Sequence, residues 1–159
     1  MNTTSFKGVE VNNTLNKGHN IEQWCIVEID FGSNKGSVQS GKRPAIVISN
    51  NVNNMHSPNI TVVPMTTKLK TTLPTHIFIN KELANKLGID TESTILCEQI
   101  QTVSKASITT NRGDVITFPR LKVAIVIRLF VQIFGSGILN KLKETFVYEL
   151  VKLAPTYKR

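Results

Sequence analysis

The stretch Gly36–Lys68 reads G-S-V-Q-S-G-K-R-P-A-I-V-I-S-N-N-V-N-N-M-H-S-P-N-I-T-V-V-P-M-T-T-K. Its reading decides the fold. A Gly/Ser/Gln loop delivers one arginine, Arg43, onto the apolar run Ala45–Ile48, which is long enough for a strand and mostly β-branched. The unbroken apolar run implies cover on both faces. A second β-rich run, Ile60–Met65, ends in the hydroxyl pair Thr66 and Thr67. Two strands thus each hold a polar group at one end, where a small site can be assembled.

Working outward, Trp24–Phe31 (W-C-I-V-E-I-D-F) reads as a strand with one wet face, marked by Glu28 and Asp30. Gly32–Gly41 is a loop, and Pro44 is expected to open the next strand, where its missing N–H costs no ladder bond. Asn50–Pro58 is turn chemistry throughout. A polar hairpin region over Lys68–Thr72 leads to extended structure over Leu73–Ile79. Lys81–Leu87, stopped by Gly88, reads as a short helix. Thr94–Val103 reads as one strand bent near Gln99, and N-R-G-D within Lys105–Thr117 as a turn between two weaker strands.

From Pro119 the period changes to helical, with Leu121, Ala124, Ile125, Leu129 and Ile133 on one stripe. Gly135-Ser136-Gly137 breaks it, and a second amphipathic helix is predicted from Ile138 to Leu153, with Leu139, Leu142, Phe146, Leu150 and Leu153 on its apolar stripe. The fold class is therefore mainly β (α+β): a small barrel or strongly curved sheet followed by C-terminal helices. Residues 1–20, rich in Asn, Thr and Lys, read as a flexible N-terminal arm, 21–134 as the barrel domain and 138–154 as an additional helix.

At 159 residues and 40% hydrophobic content the chain suits one globular domain. No apolar run is long enough to span a bilayer, and Met1–Gly8 lacks a signal-peptide layout, so a cytoplasmic protein without a membrane partner is expected. Cys25 and Cys97 each sit in an apolar run and read as buried thiols. The histidines are scattered and no CxxC or HExxH occurs, so neither a metal site nor a cofactor is expected. The formal charge is +8, and Arg120–Arg159 carries eight Lys/Arg against two Glu. That balance suits a polyanionic partner, nucleic acid or an acidic protein segment, as well as simple solubility.

On residue types alone Arg43 fits either a phosphate fork or a pair with a carboxylate at the core edge. Thr66 and Thr67 are ordinary strand-end residues, and Ser37 and Gln39 sit on a loop of a common kind. The combination is more specific. G-S-V-Q-S-G-K-R-P-A-I-V-I-S-N, then I-T-V-V-P-M-T-T, L-P-T-H and I-L-C-E-Q-I-Q-T-V-S-K, in that order over Trp24 to about Phe134, resembles the MazF/PemK family of toxin endoribonucleases. The resemblance implies an SH3-like β-barrel forming a homodimer. It also implies the toxin of a type II toxin–antitoxin pair, a sequence-selective, metal-independent endoribonuclease. Such an enzyme cleaves single-stranded mRNA by 2′-OH attack, leaving 2′,3′-cyclic phosphate and 5′-OH ends, and is held by an acidic antitoxin. Arg43 and Thr66 fall on the catalytic positions, and Ser37, Gln39, Thr67, Glu98 and Gln99 are candidate RNA contacts.

Two departures qualify the match. Many relatives read G-S-E-Q where this chain has Gly36-Ser37-Val38-Gln39, and Val38 cannot take a proton from the attacking hydroxyl. Glu98 is the nearest substitute by type, its other reading being a structural or RNA-contacting carboxylate. A catalytically weak RNA- or antitoxin-binding relative therefore stands as the alternative, with a gyrase-directed toxin on a similar barrel as a third reading. The helix from Ile138 lies beyond the usual family end and suits packing on the barrel or dimer, a membrane surface, or an altered antitoxin or RNA contact.

Overall fold

The computed structural model describes residues 21–68, 73–115 and 117–153. Seven strands form one antiparallel system: β1 (Cys25–Asp30), β2 (Lys42–Val47), β3 (Asn59–Thr66), β4 (His76–Ile79), β5 (Ser93–Leu96), β6 (Gln101–Ser104) and β7 (Ile108–Val115). The order is β4-β5-β3-β2-β1-β7, and β6 also pairs with β3. Four α-helices complete the described chain: α1 (Asn51–His56), α2 (Lys81–Lys86), α3 (Pro119–Phe134) and α4 (Ser136–Leu153). The fold is mainly β with short helices, as the sequence implies.

Strand β2 shows why continuous apolar runs mark covered strands. Its Ile46 joins a cluster with Val63, Met65, Ile95 and, from α3, Leu121 and Ile125. Its Ala45 and Val47 point the other way, into a cluster with Val27, Ile29, Ile60, Val62 and Ile108. The helices cover the first face, while β1, β2, β3, β6 and β7 curl around the second. On β1 the wet positions shrink to half-buried Glu28 and exposed Asp30, because Cys25, Ile26, Val27 and Ile29 are all buried.

Several local expectations are corrected. Asn50–Pro58 is not all turn: Asn50 accepts the Asn53 N–H at 2.8 Å and caps α1, because a segment rich in turn-forming Asn is also rich in N-caps. Buried Asn54 fastens this helix to the sheet, exchanging hydrogen bonds with Ser49 at 2.6 and 2.9 Å. Pro44 does not open β2, which starts at Lys42. Pro44 pairs with Glu28, and the β3 ladder begins only at Ala45, so on that side no bond is lost. N-R-G-D is no turn but lies within continuous β7, after a 3-10 turn over Lys105–Ser107. Ladder pairing with β1, Val27 to Asn111 and Glu28 to Thr110, overrides the local turn signal.

The expected strand over Thr94–Val103 is two strands. One edge of β3 is shared: Ile95 stands opposite Met65, whereas Gln101 stands opposite Val62. Three steps along β3 thus face six along this segment, and the surplus between β5 and β6 is expelled from the ladder. Glu98 and Gln99 lie in that surplus.

Helix α2 is capped by Asn80, which accepts the Leu83 N–H at 2.9 Å. Leu121 and Ile125 of α3 are buried and Leu129 packs against them, but Ile133 is 60% exposed, so the predicted stripe leaves the core in its last turn. Gly135, at φ 76°, makes the break alone, and α4 starts at Ser136, earlier than predicted. On α4, Leu142 is exposed. The other stripe residues of that helix, the N-terminal arm and most of Lys68–Thr72 lie outside the described side chains and residues. No single described helix is long and apolar enough to cross a membrane.

The α3 stripe yields a paired expectation. Ile125→Ala should lower unfolding free energy by about 2–5 kcal/mol, the cost of a cavity in a packed core. Ile133→Ala should change it by less than about 0.5 kcal/mol, as for an exposed site. Urea unfolding of both variants checks the contrast; equal losses would contradict the packing described.

Candidate functional site

The β1–β2 loop is closed at its base by Phe31 N–H to Gly41 O at 3.2 Å and Gly41 N–H to Gly32 O at 2.8 Å. Gly32 and Gly41 adopt φ of 64° and 71°, left-handed values that let the chain leave and rejoin the ladder. Within the loop, Asn34 Nδ2 donates to Gln39 O at 2.6 Å. The expelled Gln99 then clamps it from outside. Gln99 Oε1 accepts the Gln39 N–H at 2.8 Å, and Gln99 Nε2 donates to Ser37 O at 3.2 Å.

Arg43, half-buried at the start of β2, is held by the same loop. Its Nε donates to Ser40 O at 2.9 Å, its Nη2 also reaches Ser40 O, and its Nη1 donates to the Gln39 side-chain carbonyl. Burial lowers its pKa from the ordinary value. A guanidinium carries five N–H donors, and these contacts use three of them. Two remain for a bidentate acceptor.

Thr66 reaches this group through register. Ala45 stands opposite Pro64 as the last pair of the β2–β3 ladder; Arg43 and Thr66 each lie two residues beyond it, at neighbouring ends of β2 and β3. Both side chains share the face of Ala45, Val47 and Val62 by the two-residue alternation of strands. Thr66 Oγ1 accepts the Lys68 N–H at 3.2 Å. On its other side Thr66 pairs with Thr94, whose buried hydroxyl has no hydrogen-bond partner. Thr67 follows, exposed.

Glu98 makes its hydrogen bonds in an adjoining cluster, not with Arg43. Its Oε2 accepts the Thr75 hydroxyl at 3.0 Å and its Oε1 lies 3.1 Å from His76 Nε2. Both carboxylate oxygens are thus engaged. Of the residues singled out in the sequence, Ser37, Gln39, Arg43 and Gln99 form one connected network, Thr66 joins by strand register, and Glu98 belongs to an adjoining cluster. Thr75, His76 and Thr94 were not singled out; the only sequence signal for the first two was their place in L-P-T-H.

Cys97, in the apolar core with Met65 and Ile95, is fully buried. Its thiol is pushed up to about 12, chiefly by burial and then by the charge of Glu98, with Arg128 pulling slightly the other way.

A curled antiparallel sheet with an arginine and a threonine at neighbouring strand ends, beside a Gly/Ser loop, defines a small β-barrel fold. The sequence model for the PemK-like, MazF-like toxins of type II toxin–antitoxin systems matches residues 22–131, and the chain belongs to that family. It is 41% identical over 75 residues to the endoribonuclease EndoA of Bacillus subtilis (strain 168). That alignment spans 46% of this chain and 62% of the relative's length. Its fold is similar to that of MazF (Form-I) from Deinococcus radiodurans, with TM-score 0.58 at 18% identity over 71% of this chain and 96% of the other. It is also similar to a mycobacterial endoribonuclease in complex with its cognate antitoxin, with TM-score 0.55 at 20% identity over 70% and 93% of the two chains.

The Cys97 shift carries a sign. Its folded pKa is raised from the ordinary 9.0 to about 12, so between those values the unfolded chain binds fewer protons and stability falls as pH rises. Below pH 9 this group contributes no slope. The decline in urea midpoint from pH 9 to 11 should be shallower in Cys97→Ala than in the parent; parallel declines would contradict the assignment.

Proposed function

We propose that this chain is a type II toxin acting as a sequence-selective, metal-independent endoribonuclease on single-stranded mRNA. The observation that carries the reading is Arg43, held by a loop that Gln99 fastens, at the end of β2 that adjoins the Thr66 end of β3. In the reaction the ribose 2′-OH attacks the adjacent phosphorus, the bond to the 5′-oxygen breaks, and 2′,3′-cyclic phosphate and 5′-OH ends result. The pentacoordinate state gathers negative charge on its non-bridging oxygens. The two spare N–H groups of Arg43 face that charge, and such a preorganised donor is typically worth about 3–4 kcal/mol. Thr66 donates one further hydrogen bond. Ser37, Gln39, Thr67, Glu98 and Gln99 line the path of the flanking nucleotides.

In this reading the enzyme is a cytoplasmic homodimer, built from a barrel of residues 21–134, an arm of residues 1–20 and an additional helix of residues 138–154. Its other partner is an acidic antitoxin, which the chain's +8 charge favours. The mycobacterial neighbour of similar fold is described as bound to its cognate antitoxin, which supports the same arrangement here.

A second reading rests on two observations. Val38, 49% exposed on the loop, offers no carboxylate, and Glu98 has both oxygens engaged elsewhere. A relative that binds RNA or antitoxin but cleaves weakly fits those facts. Incubation with mixed single-stranded RNA in EDTA separates the two: discrete cuts with cyclic-phosphate ends support the enzyme, and intact RNA with retained binding supports the relative.

Arg43→Ala should abolish cleavage while leaving the fold intact. Thr66→Ala should lose roughly 1.5–3 kcal/mol of transition-state binding, one hydrogen bond to a charged group. Single-turnover rates measure both, and a near-parental rate for Arg43→Ala would remove Arg43 from the site. Val38→Glu should raise the single-turnover rate severalfold, because it restores a proton acceptor on an exposed loop. No gain, together with a dead Glu98→Gln variant, would move that role to Glu98.

A further inference from the structure

We propose that His76 is a positioning residue that fixes Glu98 as a base-reading acceptor, selecting a nucleobase with an exocyclic amino group at one position flanking the cleaved phosphate. The inference rests on the ribonuclease reading above and adds to it a residue and a specificity.

The tautomer of His76 follows from its contacts. Leu73 N–H donates to Nδ1 at 3.1 Å, so Nδ1 is an acceptor and the ring proton sits on Nε2. Nε2–H then donates to Glu98 Oε1 at 3.1 Å. Thr75, 8% exposed, donates to the other oxygen at 3.0 Å. One N–H and one O–H therefore pin both carboxylate oxygens, and the side chains of His76 and Glu98 are only 9% and 18% exposed. Each oxygen keeps a further lone pair, and an ionised carboxylate with fixed oxygens accepts without donating.

The placement suits readout. Leu96 pairs with His76 and Thr94 pairs with Thr66, so His76 lies on the same face as Thr66, two strands across and two residues along, roughly 12 Å away. Glu98 is followed directly by Gln99, which clamps the loop that holds Arg43. A base turned out of single-stranded RNA beside the Arg43 phosphate meets Glu98 with its edge. Adenine, cytosine and guanine each offer an amino N–H there. Uracil offers one N–H between two carbonyl oxygens, which a carboxylate repels.

The experiment uses the full chain and a panel of short single-stranded RNAs varied one position at a time, with 2′-O-methyl riboses throughout so that binding is read without cleavage. The parent protein should disfavour uracil by about tenfold at one position, the scale of one hydrogen bond to a charged group. His76→Leu should remove that discrimination. His76→Gln, whose amide N–H reaches the same oxygen, should keep most of it, which a merely structural loss of the ring would not allow. Glu98→Gln keeps an acceptor for Thr75 and His76 but presents N–H groups to the base, and should admit uracil; it also tests the assignment if His76→Leu fails to fold. Unchanged base preference in Glu98→Gln, or in a folded His76→Leu, overturns the inference. No RNA binding by the parent at all would instead remove the ribonuclease reading on which it stands.

Discussion

The architecture depends on the ladder of β3. One strand pairs with β2 along one edge and shares its other edge between β5 and β6. The buried side chains of Ile60, Val62, Val63 and Met65 commit it to a single register, since a slip by one residue would exchange its two apolar faces. That register sets Ala45 against Pro64, two residues short of Arg43 and Thr66, and Thr66 against Thr94. It also requires the unpaired surplus between β5 and β6, because the β5 and β6 ladders cannot both be continuous with one β3 edge.

The surplus links packing to chemistry. Glu98 and Gln99 leave the sheet because the ladder has no place for them, and they leave in opposite senses. Gln99 fastens the β1–β2 loop and through Gln39 steadies Arg43, whereas Glu98 is taken up by Thr75 and His76. The polar site is thus built from segments that fail to be strand, resting on segments whose register is fixed by burial.

What was legible in the sequence follows the same division. The continuous apolar run Ala45–Ile48 declared a strand buried on both faces, since such burial leaves no polar alternation, and the β-rich run Ile60–Met65 declared its neighbour. Arg43 and Thr66 were legible as polar groups at strand ends, and the family was legible from four blocks in order. Asn50–Pro58 misled because asparagine serves turns and helix caps by the same side-chain chemistry. N-R-G-D misled because pairing with β1, far away in sequence, outweighs a local turn preference. The Thr75–His76–Glu98 cluster was invisible to spacing: its members come together only through the β4–β5 pairing, which brings His76 opposite Leu96.

The β1–β7 ladder has a consequence for biosynthesis. Cys25 pairs with Val115, so β1 waits for some 90 intervening residues, about 5–18 s at ordinary elongation rates. The Arg43 loop, Thr66, His76 and Gln99 all precede β7, and the reactive edge can form while one side of β1 is still open. An open strand edge invites pairing with another chain. The free edge of β1 is therefore the last part of this ladder to be satisfied as the chain emerges.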